Sequence, residues 1–197
     1  MKKIRSEYPQ LLKNKKKILI LGKNSTLSKE LYNLIKNDNF YIDKVDKKEI
    51  NFIDDDSSQK LKKKITVFNP DIIINFIGKF DLNAKATKNI LLLNILPTWQ
   101  ILKIFLNKKI NKKINLIIIG SSSFNSPRKR YMLYAASKAA LNSLIASAIE
   151  YFLDTKLNVK IFNPATFGGK HIKSFNKKVN EDINNVAKSI YRYIRNN

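Results

Sequence analysis

Tyr134 and Lys138 stand four residues apart in Tyr134-Ala-Ala-Ser-Lys138, and a serine cluster, Ser121-Ser122-Ser123, lies just upstream. On a helix, residues at that spacing share one face, stacked a turn apart. A phenol with an ordinary pKa of about 10 is a poor acid or base near neutrality. A cation held beside it favours the phenolate and draws the pKa towards working range. A serine hydroxyl delivered from a neighbouring strand end could then hold a substrate carbonyl. The same spacing also arises by chance on many amphipathic helices, so the pair gains meaning only from the elements that position it.

Those elements can be read from the hydrophobic pattern. Residues 1–16 are polar and basic with one proline and read as an arm; residues 17–197 read as a single domain. Residues 17–21 form a short apolar run ended by Gly22, a strand and its turn. Ser25 or Ser28 can cap the following helix, whose Leu27, Leu31, Leu34 and Ile35 keep helical spacing. Residues 41–45 predict a second strand and 49–53 a short third one. A helix over 57–68 sets Leu61, Ile65 and Phe68 on one side, Asn69-Pro70-Asp71 turns the chain, and 72–77 is a continuous apolar run. A helix over 88–107, a strand over 115–119, a helix over 131–152 and a strand over 158–162 follow. The last helix carries Ile183, Val186, Ala187, Ile190 and Ile194. Pro97 falls inside a helix, where it removes a backbone donor, and predicts a kink near Asn94.

Strand and helix alternate, and the apolar strands show no inside/outside alternation. Both features predict a parallel sheet covered on both faces, a doubly wound, Rossmann-like α/β fold. Such folds bind ligands at the carboxyl ends of their strands. Here those ends are Gly22, residues 45–46, 75–78, 120–123 and 163–169, where Gly, Ser and Asn gather. Turns attract the same residues, so each end taken alone is also an ordinary turn.

Composition removes other classes. The 197 residues contain no cysteine, which excludes disulfides and thiolate chemistry and fits a reducing compartment. The one histidine, His171, does not supply a histidine metal site, and no metal is expected; it reads as a loop residue over the substrate mouth or a surface residue. The formal charge of +23 suggests polyanions. Its lysines are scattered in short runs with no zinc-finger, KH or RRM-like pattern beside them. Specific nucleic-acid binding is therefore not expected, although weak, salt-sensitive binding is. Residues 18–21 are too short for a secretory core. The apolar stretch 90–106 carries Asn94, Pro97, Gln100 and Lys103 and reads as a buried helix, not a membrane span. A cytoplasmic protein is expected.

With these residues in place, the chain resembles the short-chain dehydrogenase/reductase family over residues 17–194. Lys17-Ile-Leu-Ile-Leu-Gly22-Lys-Asn-Ser-Thr26-Leu-Ser28 stands where the family has its glycine-rich cofactor turn. Pro70-Asp-Ile-Ile-Ile-Asn75-Phe-Ile-Gly78 looks like its fourth-strand segment, Asn94 matches its helix asparagine, and Ser121, Tyr134 and Lys138 fall at its Ser-Tyr-Lys spacing. Asn163-Pro164-Ala165-Thr166 stands where the family has a Pro-Gly segment. Of the three turn glycines only Gly22 is kept; Thr26 and Ser28 bring bulk where backbone would approach a pyrophosphate, and hydroxyls able to bond it. Residues 46–78 are similar to the nucleotide-sugar-modifying branch.

The resemblance implies an NAD(P)-dependent oxidoreductase acting on a small carbonyl or alcohol, such as a sugar or nucleotide-sugar, and a homodimer built through the two long helices. It makes Tyr134 the general acid/base, Lys138 the group that lowers its pKa and bonds the nicotinamide ribose, Ser121 the group orienting the carbonyl, and Asn94 the support of a water-linked proton relay. Ser122 is an alternative to Ser121. Gly22, Ser25, Thr26, Leu27, Asn75, Gly78, Pro164 and Thr166, with Tyr134 and Lys138, would line the cofactor. Asp46 ends the second strand and favours NAD by accepting from a ribose hydroxyl; Lys47 and Lys48 favour NADP by neutralising a 2′-phosphate; Asn51 would sit near the adenine. Two other classes stay open: a degenerate relative acting as a binding or regulatory protein, and a basic nucleic-acid-associated protein.

Overall fold

The computed structural model describes residues 15–80, 87–106, 108–125, 131–165 and 182–197. Within them, five strands run β1 Lys16–Leu21, β2 Phe40–Val45, β3 Ile72–Asn75, β4 Ile114–Ile119 and β5 Leu157–Phe162. The helices are α1 Thr26–Ile35, α2 Ser57–Phe68, α3 Thr87–Phe105, α4 Met132–Tyr151 and α5 Ile183–Asn196. A short 3-10 turn, Ser122–Asn125, follows β4. All strands pair in parallel in the order β2-β1-β3-β4-β5. The doubly wound α/β architecture is as the sequence predicts.

The register aligns the strand exits. Leu21 lies opposite both Val45 and Asn75, Asn75 opposite Ile118, and Ile119 opposite Phe162. Five carboxyl ends therefore come out along one edge of the sheet.

Strands buried on two sides need apolar residues at every position. Ile18, Ile20, Ile72, Ile74 and Ile117 pack under α1 and α5. Their neighbours Leu19, Leu21, Ile73, Leu116 and Ile118 pack on the other face with α2, α3 and α4. Helix boundaries follow local chemistry. Ser25 caps α1, its Oγ accepting the Ser28 N–H at 3.0 Å. Asp182 caps α5 in the same way. Asn69 ends α2 in the left-handed region (φ 51°), which a short amide side chain tolerates. One helix among the described residues, α4, is long and apolar enough to cross a membrane by length and composition alone. Its Leu141, Ile145 and Ala148 belong to the core beneath the sheet.

Most element ends shift by a residue or two from the sequence reading, and three differences have a cause in the structure. Residues 49–53 are not a strand. Asp46 folds them into turns instead, its carboxylate accepting from the Lys48 and Glu49 N–H groups and its carbonyl from Glu49 and Ile50. Ile50 and Phe52 are buried from this loop, which explains an alternation that looks strand-like. The run 72–77 leaves the sheet after Asn75, whose Oδ1 captures the Ile77 N–H at 3.0 Å. Lys16, assigned to the arm, begins β1; residues 1–14 of that arm lie outside the described residues, as do Thr166 and His171.

Candidate active site

The turn leaving β1 sets the first wall of the site. Gly22 has φ +84°, and a Cβ there would come 3.1 Å from the Phe76 carbonyl carbon and 3.2 Å from Ile77 Cγ1. Both strain and space demand glycine at this one position. The Gly22 and Lys23 N–H groups bond the Val45 carbonyl, drawing the β1 and β2 exits together. The first amides of a helix have no partners within it and carry the positive end of its dipole. At α1, Ser25 Oγ takes one of them, from Ser28; those of Thr26 and Leu27 are the next candidates for an anion. The two hydroxyl residues that replace glycines do not crowd this end. Ser28 is buried at 1% exposure, and Thr26 opens the helix with an exposed side chain. The residues present therefore suit a pyrophosphate held by Gly22, Ser25, Thr26 and Leu27.

Asp46, at the exit of β2, is occupied on both oxygens. Oδ2 pairs with Lys23 Nζ at 3.0 Å, while Oδ1 accepts the Lys48 and Glu49 amides. The Lys23 hydrogen bond, aided by those amides against some desolvation, holds the carboxyl below its ordinary pKa. Lys23 was not among the sequence candidates. Its signal was the neighbouring position of the β1 and β2 exits, which a parallel pair joined by one helix implies. Lys47 and Lys48 are exposed beside it. Asn51 lies in the same loop and donates to Asp54 at 2.6 Å.

At β3, Asn75 spends its side chain internally, donating to Thr98 Oγ1 at 3.0 Å and accepting from Ile77. It fixes the exit rather than offering a free amide. Gly78 lies where three groups converge. A Cβ there would sit 3.0 Å from Asn94 Oδ1 and 3.6 Å from Lys138 Nζ. Asn94, 2% exposed on α3 one turn before Pro97, accepts the Lys79 N–H at 2.8 Å. Its Nδ2 donates to the Lys79 carbonyl and, at 2.8 Å, to Ser137 Oγ. Ser137 in turn donates to the Tyr134 carbonyl at 2.7 Å. Asn94 thus ties the β3 exit to the turn of α4 that carries Tyr134.

Ser121, Tyr134 and Lys138 come together at the β4 exit. The Ser121 side chain stands close enough to Tyr134 to draw its phenol pKa down, and its Oγ accepts the Ser123 N–H at 3.2 Å, whereas the Ser122 N–H is committed to the Pro164 carbonyl at 2.9 Å in the 3-10 turn. Ser121 is therefore the serine beside the phenol. Lys138 is 4% exposed; its Nζ donates to the Ile119 carbonyl at 3.2 Å and lies 5.8 Å from the centre of the Tyr134 ring. Phe80 and Tyr131, which sequence did not single out, wall the phenol. Phe80 stands edge-on to Tyr134 at 4.9 Å and to Tyr131 at 5.5 Å.

The electrostatics differ from the sequence expectation. Burial pushes the Tyr134 phenol above its ordinary pKa; the Ser121 side chain opposes this, and Tyr131 adds to it. Lys138 is itself lowered by burial, from 10.5 to about 8, and burial rather than its charge sets the direction of the phenol's shift. In a dry site the cost of charging each group outweighs their mutual help across a ring.

A family model described as short chain dehydrogenase matches residues 9–180. No curated protein matches the chain. Among solved structures, ElxO with NADP bound is 17% identical, with a TM-score of 0.76 over 90% of each chain. A short chain dehydrogenase from Burkholderia cenocepacia in complex with NADP is 10% identical (TM-score 0.77, 92% of this chain and 84% of that one). The 3-alpha-hydroxysteroid dehydrogenase from a Pseudomonas species, complexed with NADH, is 11% identical (TM-score 0.75, 89% and 88%).

Proposed function

Because the chain belongs to the short-chain dehydrogenase family and is an NAD(P)-dependent oxidoreductase, we propose that Ser121, Tyr134 and Lys138 handle the proton when a small carbonyl compound and its alcohol are interconverted. The observation that carries this assignment is the meeting of the Ser121 hydroxyl, the Tyr134 phenol and the buried Lys138 ammonium at the aligned strand exits.

When bound, the nicotinamide supplies or accepts the hydride. In the reductive direction Tyr134 Oη gives its proton to the carbonyl oxygen and in oxidation takes it back. Ser121 holds that oxygen and stabilises the negative charge growing on it. A raised phenol pKa keeps Tyr134 protonated at neutral pH, the form that reduction needs. Lys138 places positive charge behind the ring and reaches the ribose side of the site. Gly22 and the first amides of α1 would hold the pyrophosphate. Asn94 fixes Lys79 and the first turns of α4, so the phenol keeps its place. Residues 49–53 form turns rather than a short strand directly after β2, so a nucleotide-sugar substrate has only sequence likeness in its favour. Turnover followed at the nicotinamide absorbance across aldehydes, ketones and nucleotide-sugars tests the reading. A chain that neither NADH nor NADPH stabilises against heat would refute it.

The preferred cofactor is NADPH. Asp46 is neutralised by Lys23, and the exposed Lys47 and Lys48 add positive charge where a 2′-phosphate would lie. Calorimetric titration is expected to give NADPH about tenfold tighter binding than NADH at low salt, roughly 1.4 kcal/mol. Lys23→Ala, which leaves Asp46 exposed to the phosphate, should erase that preference. Tighter NADH binding by the wild-type chain would refute the assignment.

The active form is a homodimer joined through α4. Its outer face is Ala136, Ala139, Ala140, Ser143 and Ala146, all exposed, with Met132 at 72% and Leu153 at 68% exposure near its ends. Small side chains allow two such helices to approach closely, and apolar ends favour their burial. Light scattering should find a dimer, and Ala139→Arg a monomer with the same circular dichroism. A monomeric wild-type chain would remove this proposal.

A further inference from the structure

The Ser121 amide is held in an unusual way. The β4–β5 ladder continues through Gly120, whose N–H bonds the Phe162 carbonyl at 2.7 Å, and through Ser122, whose N–H bonds the Pro164 carbonyl at 2.9 Å. Between them the Ser121 N–H is taken by a side chain, donating to Asn163 Oδ1 at 3.1 Å. Asn163 does not stand alone. Its Nδ2 donates to Asn142 Oδ1 at 2.8 Å, and Asn142 Nδ2 returns a longer bond to Asn163 Oδ1 at 3.3 Å. Asn142 also donates to the Lys138 carbonyl at 3.0 Å. A pair of facing amides therefore runs from the backbone of Lys138 on α4 to the backbone of Ser121 at the end of β4.

The local sequence is cut to fit this pair. A Cβ at Gly120 would fall on Asn163 Oδ1, so glycine there leaves the room the amide occupies. The two amides each satisfy a donor and an acceptor of the other, which suits a site with little water. None of this touches the phenol directly.

We propose that Asn163, braced by Asn142, is a positioning residue that sets the Ser121 hydroxyl against Tyr134. This rests on the proton-handling role given above to Ser121 and Tyr134. The argument is geometric. Ser121 sits where β4 gives way to a 3-10 turn, a place where the strand ladder alone leaves its amide without a main-chain partner. Asn163 supplies that partner and ties it to the helix bearing Tyr134 and Lys138. Without the amide, the Ser121 segment would be fixed to its own sheet but not to the helix.

The test reads the phenol itself and needs no turnover. In protein labelled at the tyrosine ζ-carbon, the Tyr134 resonance is assigned by its loss in Tyr134→Phe and titrated with pH. Ser121→Ala should raise its midpoint by about 0.5–1 pH unit, the size of one lost hydrogen bond to the phenolate. Asn163→Ala should raise it comparably, and the double variant should add nothing further. An Asn163→Ala protein with a lower melting temperature but an unmoved Tyr134 midpoint makes Asn163 a strand-end tie only, and overturns the proposal. Full additivity of the two shifts overturns it as well. If Asn163→Ala does not fold, Asn142→Ala decides: an upward shift supports the brace and no shift ends it. NADPH binding by the wild-type chain is measured alongside. Its absence would refute the oxidoreductase reading, while the titration would still decide how Asn163 acts.

Discussion

Tyr134→Phe is expected to bind NADPH like the wild-type chain and to turn over its carbonyl substrate at least about a hundredfold more slowly, the usual reach of one general acid. The substitution removes one oxygen and keeps the ring. Its edge-on contact with Phe80 and its place over Lys138 stay as they are. What goes is the proton donor and its polar contact with Ser121. Loss of one such contact should cost about 1 kcal/mol of stability or less, so the fold survives and the comparison is clean. Steady-state rates at saturating NADPH, with cofactor affinity measured separately, check the outcome. Retained turnover would mean that another group gives the proton.

Lys138→Met is expected to abolish turnover and to make the protein more stable. Lys138 is 4% exposed and, among the described groups, its ammonium meets only the Ile119 carbonyl and the face of a ring. Burial lowers it from 10.5 to about 8. Below pH 8 the folded and unfolded chains both hold the proton, and the folded chain bears the full cost of a buried charge. Between about 8 and 10.5 the unfolded chain binds a proton that the folded chain lacks, so stability rises with pH. Above 10.5 the cost is gone. A depression of about 2.5 pH units at about 1.4 kcal/mol each puts that cost at about 3.5 kcal/mol. Methionine fills the path of the stem without the charge. At pH 7 its melting temperature should exceed wild type by about 5 °C or more, an advantage that shrinks towards pH 10.5. A less stable Lys138→Met at pH 7 would show that the ammonium supports the fold instead of burdening it. Stability given up at a site for the sake of its chemistry is a common trade.

What could be read from sequence, and what could not, divides along physical lines. The strands betrayed themselves because both faces are buried, which leaves runs such as Ile72-Ile73-Ile74 without polar interruption. The failure at residues 49–53 came from the same signal. Ile50 and Phe52 are as buried as strand residues, but Asp46 had already claimed the local amides, and a one-dimensional pattern does not record which acceptor an amide finds. In the site, Tyr134 and Lys138 were visible because a helix fixes their spacing. Lys23, Asn142, Asn163 and Phe80 were not, because each matters only through a neighbour brought close by the pairing of β1 with β2, the packing of α4 on β5, or the path of the chain after β3. Their residue types carry no signal of their own; the register does. The sign of the tyrosine shift was missed for a related reason, since spacing along a helix reports proximity and says nothing of how dry the place is.

The strand order has a consequence for how the chain is made. β1 lies in the interior of the sheet, yet its second partner, β3, is synthesised only after β2 and α2. Until then one long edge of β1 is open, and pairings between distant segments form slowly. An open strand whose last four residues, Ile18 to Leu21, are all apolar is what neighbouring nascent chains would add to. Residues 1–71 carry 17 Lys and Arg against 10 Asp and Glu, a net +7 that sets such half-made chains against one another. In the finished sheet lysines still mark the two outer strands, Lys44 on β2 and the exposed Lys160 on β5. The lysine excess that first suggested a polyanion partner thus also acts, by charge alone, against self-association while the central strand waits for its neighbour.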